Sequence, residues 1–107
     1  MTTFDKREEG FEKKFALDEE LQFKAGARRN KLLGLWAAEK MGLYGAEAEA
    51  YAKSVVMADF VEAGDEDVFR KVRDDFNVKS IAQTDQQIRS AMDELMAKAV
   101  EQIKAGV

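Results

Sequence analysis

Hydrophobic residues along this chain recur at helical rather than strand spacing, and glycines and capping residues divide the pattern into four runs. The first strong run, DEELQFKAGARRNKLLGLWAAEKM, starts at Asp18 and stops at Gly42. Leu21, Ala25, Leu32 and Trp36, with Leu33 alongside, trace its predicted core stripe. Asp18 is its expected N-cap, Glu19 and Glu20 complement the helix dipole, and Lys40 falls in the last turn. Gly26 and Gly34 lie inside the run and weaken it by about 1 kcal/mol each relative to Ala, unless a neighbour packs closely against them.

A second helix is expected from about Gly45 to Ala63, with Gly64 as its stop and Ala48, Tyr51, Val55 and Ala58 as its stripe, Val61 at the edge. In the third, Asp65 caps, Glu66 and Asp67 fill the first turn, Val68, Phe69, Val72 and Phe76 recur at helical spacing, and Asn77 closes the helix. This helix reads as too short to match its neighbours. The fourth begins at Thr84, where T-D-Q-Q sets Gln87 in the position of a capping box. Its stripe is Ile88, Met92, Leu95, Ala99 and Ile103, with Ala91 beside it. The expected fold is all-α: an irregular four-helix bundle over residues 18–107, preceded by a flexible N-terminal segment, residues 1–17.

Composition supports the helical reading. The 107 residues include no Pro, and Ala, Glu, Lys, Leu, Gln and Arg are abundant. Hydrophobic residues make up 46%, enough for a core despite 36% charged residues. The net charge of −4 argues against nucleic acid, which selects a concentrated basic face. With no Cys and no His, thiolate chemistry, the commonest general base and the commonest transition-metal ligand are all missing. No stretch approaches the roughly 20 apolar residues of a membrane span, and the N-terminus has no apolar signal region. The expectation is a non-enzymatic protein of the cytoplasm with no cofactor, no metal and no membrane insertion of its own.

The segment TFDKREEGFEKKF departs from the pattern, because it precedes the core runs yet carries Phe4, Phe11 and Phe15 among four acidic and four basic residues. On a helix, Phe11 and Phe15 return to within about 20° of the face of Phe4, so the rings form a narrow ridge. The ridge can dock back on the bundle or enter a groove on another protein. An isolated helix of this length is marginal in water, and Gly10 lies within it. Coupled folding on a partner is the favoured reading. Weak dimerisation of the free protein through the same ridge is the alternative to a monomer.

These residues carry a family resemblance. The F-D-x-R-E-x-x-F-E-x-K-F pattern at Phe4–Phe15, the D-E-E-L run at Asp18–Leu21 and ARRNKLLGLWAAEKMGL at Ala27–Leu43 resemble the zeta subunit, an ATPase inhibitor, of alpha-proteobacterial F-type ATP synthases. The acidic G-D-E-D-V turn at Gly64–Val68 matches more loosely, and the resemblance spans the chain. It implies an inhibitor of ATP hydrolysis, peripheral to the inner membrane through the synthase. Its N-terminal segment would enter the catalytic head as a helix, at an α/β interface against the γ stalk, while the bundle stays outside. The block would act as a ratchet against hydrolytic rotation. Carried over by position, the inhibitory residues are Phe4, Asp5, Arg7, Glu8, Phe11, Glu12, Lys14 and Phe15. The chain departs from the family pattern at Gly10, where relatives carry a better helix former, at Leu17, where His is common, and at Gly26.

The alternative from another class is a small helical adaptor, or a weak nucleotide-binding bundle with a vestigial inhibitory segment. Arg28, Arg29 and Lys31 are its candidate phosphate contacts, weighed against an ordinary solvated face. No P-loop glycine pattern accompanies them. The acidic cluster Asp59, Glu62, Asp65, Glu66 and Asp67 lacks the glycine of a calcium loop and reads as helix capping and solvation. Asp74 and Asp75, being adjacent, point to different sides of a helix, and Met92 and Met96 read as bundle filler.

Overall fold

The computed structural model describes the backbone of residues 2–59 and 65–106, and the side chains of residues 19–59 and 65–106. Four helices follow one another: α1 (Thr2–Lys40), α2 (Ala46–Ala58), α3 (Asp65–Val78) and α4 (Asp85–Lys104). Among the described residues there is no strand, and the fold is all-α, as the periodicity predicts. The remaining expectations on residues 60–64, including Val61, Glu62 and the Gly64 stop, lie outside the described residues.

Two boundaries differ from the sequence reading. Asp18 does not cap a helix: helical backbone runs through it without a break from Thr2, which gives α1 39 residues. Residues 2–18 contain no Pro and are rich in Glu, Lys and Arg, so nothing in the sequence obliges the helix to begin at a capping residue. The third helix is also not the short one. It has 14 residues against 13 in α2, which ends at Ala58 with Asp59 as its C-cap. The irregularity of the bundle comes from α1. At about 1.5 Å per residue it is roughly 58 Å long, close to the full 61 Å of the molecule, whose other extents are 25 and 23 Å.

α1 is the spine on which the other helices assemble. It packs chiefly against α2 and α4, while α3 touches all three. Both main neighbours run antiparallel to it. The turn after Lys40 reverses the chain into α2. On the other side, Arg28 Nη1 donates to Gln102 Oε1 near the end of α4 (2.7 Å), whereas Trp36 lies beside Gln87 and Ala91 near its start. Leu33, Ala37, Val55, Val68, Val72, Phe76, Ile88, Ala91 and Met92 form the buried core. Trp36 packs on its edge, with its ring 5.7 Å from that of Phe76.

The stripe of α1 is rotated relative to the expectation. Ala25, Arg29, Leu33 and Ala37 are buried, with Asn30 beside them, whereas Leu21, Leu32 and Trp36 are half-buried. In α2 the buried residues are Ala52 and Val55, with Ala48, Tyr51 and Ala58 at the margin. The difference has a steric origin. Glycine and alanine line the contact between the two helices and let their backbones approach closely. A Cβ placed on Gly34 would lie 2.5 Å from Ala52 Cα. The predicted stripe of α4 holds better: Ile88, Ala91, Met92 and Ala99 are buried, and Leu95 and Ile103 are half-buried.

Helix ends are set by local hydrogen bonds. After α1, Gly42 adopts φ 76°, its N–H donates to Glu39 O, and Leu43 N–H donates to Ala38 O, the Schellman pattern. The same pattern closes α3, where Ile81 N–H reaches Phe76 O at 2.8 Å and the left-handed position is occupied by Ser80 at φ 58°. α3 thus continues to Val78, one residue past the predicted stop. The capping box of α4 is present as predicted. Gln87 N–H donates to Thr84 Oγ1 (3.1 Å), and Thr84 N–H donates to Gln87 Oε1 (2.8 Å).

Candidate functional site

The predicted partner-binding residues, Phe4, Asp5, Arg7, Glu8, Phe11, Glu12, Lys14 and Phe15, all lie on α1, and their side chains are outside the described residues. Their backbone belongs to the same helix that carries the bundle's spine. Described side chains resume at Glu19, and the transition is sharp. Glu19, Glu20, Gln22, Phe23 and Lys24 are exposed and Leu21 is half-buried, whereas Ala25 is the first residue with no exposure. Glu20 and Lys24 pair along the helix at 3.1 Å, as i,i+4 partners on a solvated helix do. Among the described side chains of α1, full burial thus begins at Ala25, and residues 19–24 contribute no fully buried side chain.

The structure does not gather Arg28, Arg29 and Lys31 into one cationic surface. Arg29 turns inward and is 4% exposed, with Nε donating to Asn30 Oδ1 and Nη2 to Asp65 Oδ1, each at 2.8 Å. Arg28 reaches across to Gln102 on α4. Lys31 remains exposed beside α2. The reading of the whole trio as a solvated face is thus corrected for Arg29, which serves as a buried tie between α1 and the start of α3. The i,i+4 spacing of Ala25, Arg29 and Leu33 was the signal for this. Asn30 is equally buried although no apolar pattern in the sequence marks it, and its Nδ2 has no hydrogen-bond partner among the described residues.

The acidic residues at the start of α3 are divided among partners. Asp65 pairs with Arg29, Glu66 Oε1 accepts from Arg89 Nη2 at 2.9 Å, and Asp67 lies 3.8 Å from Arg70. Among the described residues no cluster of three carboxylates could hold a metal ion. Asp74 and Asp75 diverge as expected. Asp74 is exposed, while Asp75 Oδ2 accepts from Tyr51 Oη (2.7 Å) and Lys71 Nζ (3.0 Å). Burial, then the hydrogen bond to Asp75 and the negative charge of that carboxylate, push the Tyr51 phenol well above its ordinary range. This triad joins α2 to α3, with the Lys71 ammonium also 5.2 Å from the Tyr51 ring centre.

At the end of the bundle where α1 emerges, a cleft of about 480 Å³ opens between α1, α2 and α4. Phe23, Val56, Met96 and Val100 give it an apolar wall, and Arg29 and Asn30 contribute to its lining. Among the described residues no helix is long and apolar enough to cross a membrane.

One match decides the family. The model of the ATPase inhibitor subunit zeta family matches residues 1–102, covering the helical arm and nearly all of the bundle. The chain belongs to the ATPase inhibitor subunit zeta family. A protein whose structure was solved by solution NMR is 50% identical to this zeta-family chain, with a TM-score of 0.72; the match covers 81% of this chain and 99% of that one. A comparison with curated proteins returns no match. Zeta-family membership supports a role as an inhibitor acting on an F-type ATP synthase, and with it a regulatory rather than a catalytic protein.

Proposed function

We propose that this protein blocks ATP hydrolysis by the catalytic head of an F-type ATP synthase, inserting residues 4–15 as a helix at an α/β interface beside the γ stalk. The observation that carries the reading is the family match from residue 1 to 102, which takes in the arm together with the bundle. The helical backbone of α1 from Thr2 and the spacing of Phe4, Phe11 and Phe15 on one face support it.

In this reading the three phenylalanines are buried anchors, the role aromatic side chains most often play at interface centres. Arg7 and Lys14 pair with carboxylates of the head. Asp5, Glu8 and Glu12 pair with its cations or favour the N-terminal half of the helix dipole. A catalytic interface that closes and opens with rotation is jammed by a helix that binds its closed state better than its open one, because a ligand shifts an equilibrium only by its differential affinity. The block opposes the hydrolytic direction and leaves synthesis largely free. The protein then acts on the cytoplasmic side, peripheral to the inner membrane through the synthase.

Titrating the protein into ATP hydrolysis by the cognate catalytic head tests this. Saturable inhibition is expected, and replacing Phe4, Phe11 and Phe15 together by Ala should raise the half-inhibiting concentration by about two orders of magnitude or more. Hydrolysis that is indifferent to the wild-type protein overturns the proposal.

A further inference from the structure

We infer that contact with the catalytic head does not end at Phe15, and that Phe23, with the apolar cleft beside it, forms a second docking surface that takes an apolar side chain from the rim of the head. This rests on the inhibitory reading above and extends it to a surface on the bundle.

The first observation is exposure. Phe23 is 75% exposed, the only aromatic residue between Glu19 and Asn30, and it stands two positions before Ala25, the first fully buried residue among the described side chains. Its ring borders a concave wall built by Val56 of α2 and by Met96 and Val100 of α4. Those three side chains are half-buried, so the wall is part of the folded bundle and requires no rearrangement to present. That wall is apolar with an aromatic at its lip, as interface centres are, while Gln22, Arg29, Asn30, Asp59 and Asp65 form the polar remainder of the cleft.

The second observation is shape. Among the described side chains of α1 none before Ala25 is fully buried, and a lone helix is about 10–12 Å across. The molecule measures 25 by 23 Å across its long axis. A groove that admits one helix excludes the bundle, so insertion of α1 stops where the bundle begins, and the surface facing the rim of the groove at that point is the one carrying Phe23. The third observation is continuity. Phe23 lies eight residues beyond Phe15 on the same unbroken helix, about 12 Å along its axis. A partner that holds Phe15 therefore comes within reach of Phe23 without any further segment being ordered. The rings need not face the same way. Eight residues turn the helix by about 80°, so Phe15 and Phe23 address different walls of the site.

The occupant is thus fixed by position: the head that receives the arm, contributing an aliphatic or aromatic side chain at the mouth of its groove. A second copy of this chain is the competing occupant, and the test separates the two. Phe23→Ala in the full-length protein should leave the thermal melt within about 2 °C of wild type, since an exposed ring contributes little to folding. It should raise the half-inhibiting concentration for ATP hydrolysis about tenfold or more, with Phe23→Leu recovering most of the loss. A photoreactive benzoylphenylalanine at position 23 should cross-link to an α or β subunit of the head. Wild-type inhibition by Phe23→Ala, or a cross-link only to a second copy of the chain, overturns the inference while leaving the arm-insertion reading intact. A wild-type protein that fails to inhibit hydrolysis overturns both.

Discussion

Two glycines in the same helix make opposite predictions, and together they test the packing of the spine. Gly34 meets α2 so closely that a Cβ added to it would fall 2.5 Å from Ala52 Cα, 3.1 Å from its Cβ and 3.3 Å from its carbonyl carbon. Carbon atoms settle at about 3.5–4.0 Å, so Gly34→Ala requires α2 to retreat by roughly 1 Å. The obstacle is backbone and cannot rotate away. Ala52 and Val55 are buried on the same helix and would lose contacts as it moved. Overpacking of this kind costs about 3 kcal/mol at the upper end of its range, and the better helix propensity of Ala returns about 1. The net destabilisation of about 2 kcal/mol lowers the melting temperature by roughly 10 °C in a chain of this size. Gly26 has nothing within 4 Å of the same construction. There only the propensity term acts, so Gly26→Ala should gain about 1 kcal/mol and raise the melting temperature by roughly 5 °C.

Far-UV circular dichroism melts of the two variants, with urea unfolding as a second measure, decide the matter. Pairing Gly34→Ala with Ala52→Gly should recover little, because the nearest obstacle is the Ala52 Cα, which no substitution removes. If Gly34→Ala is stabilising to the same degree as Gly26→Ala, or if Ala52→Gly rescues it completely, the close approach of α1 and α2 is wrong.

Other changes follow from the same kind of reasoning. Ser80 holds the left-handed position that closes α3; the conformation costs a non-glycine residue about 1–2 kcal/mol, and glycine carries an entropic penalty of about 0.5–1, so Ser80→Gly should stabilise by about 0.5–1 kcal/mol in urea unfolding. Asp65→Asn leaves the Arg29 guanidinium, 4% exposed, with a weaker partner, and should cost about 2 kcal/mol; Glu66→Gln breaks the solvated pair with Arg89 and should cost less than about 1. Equal losses from the two would contradict the burial of Arg29. Tyr51 makes stability depend on alkaline pH. The fold raises its phenol pKa above the ordinary 10.0, so above about pH 10 the unfolded chain releases a proton that the folded one keeps, and stability falls as pH rises. The melting temperature of the wild type should therefore decline more steeply above pH 10 than that of Tyr51→Phe; parallel curves would contradict the buried contact with Asp75.

Much of the fold is legible in the sequence because it rests on local rules. The Thr84–Gln87 box and the stop at Gly42 are each decided within four residues by hydrogen-bonding capacity or backbone freedom, and both stand where the sequence puts them. The reading fails where a distant neighbour decides. Apolarity directs attention to Leu32 and Trp36, yet the side of α1 that is buried is set by where α2 can come closest, and that is at Gly34 and Ala52. Once the helix is turned that way, Arg29 and Asn30 are carried inside, and Arg29 needs the carboxylate of Asp65, 36 residues away, which no local pattern links to it.

The start of α1 fails for a different reason. A capping residue marks where a helix can begin, not where it must, and Asp18 is followed by acids that suit a first turn but preceded by residues equally able to be helical. The continuity of the helical backbone bears on function. With a break at Asp18, the phenylalanine segment and the bundle would be two bodies joined by a link, and the bundle would have no fixed direction from the arm. With helical backbone from Thr2 to Lys40, the insertion proposed above would also set where Phe23 and the cleft at the end of the bundle come to rest. A helix-breaking insertion tests that coupling: two glycines placed between Asp18 and Glu19 should leave the melt of the bundle unchanged, because among the described side chains of α1 full burial begins at Ala25, yet weaken inhibition of hydrolysis by about tenfold, since a continuous helix no longer presets the second contact and its ordering must be supplied on binding. Undiminished inhibition by the insertion variant would show that the arm acts alone and that the continuity of the helix is incidental.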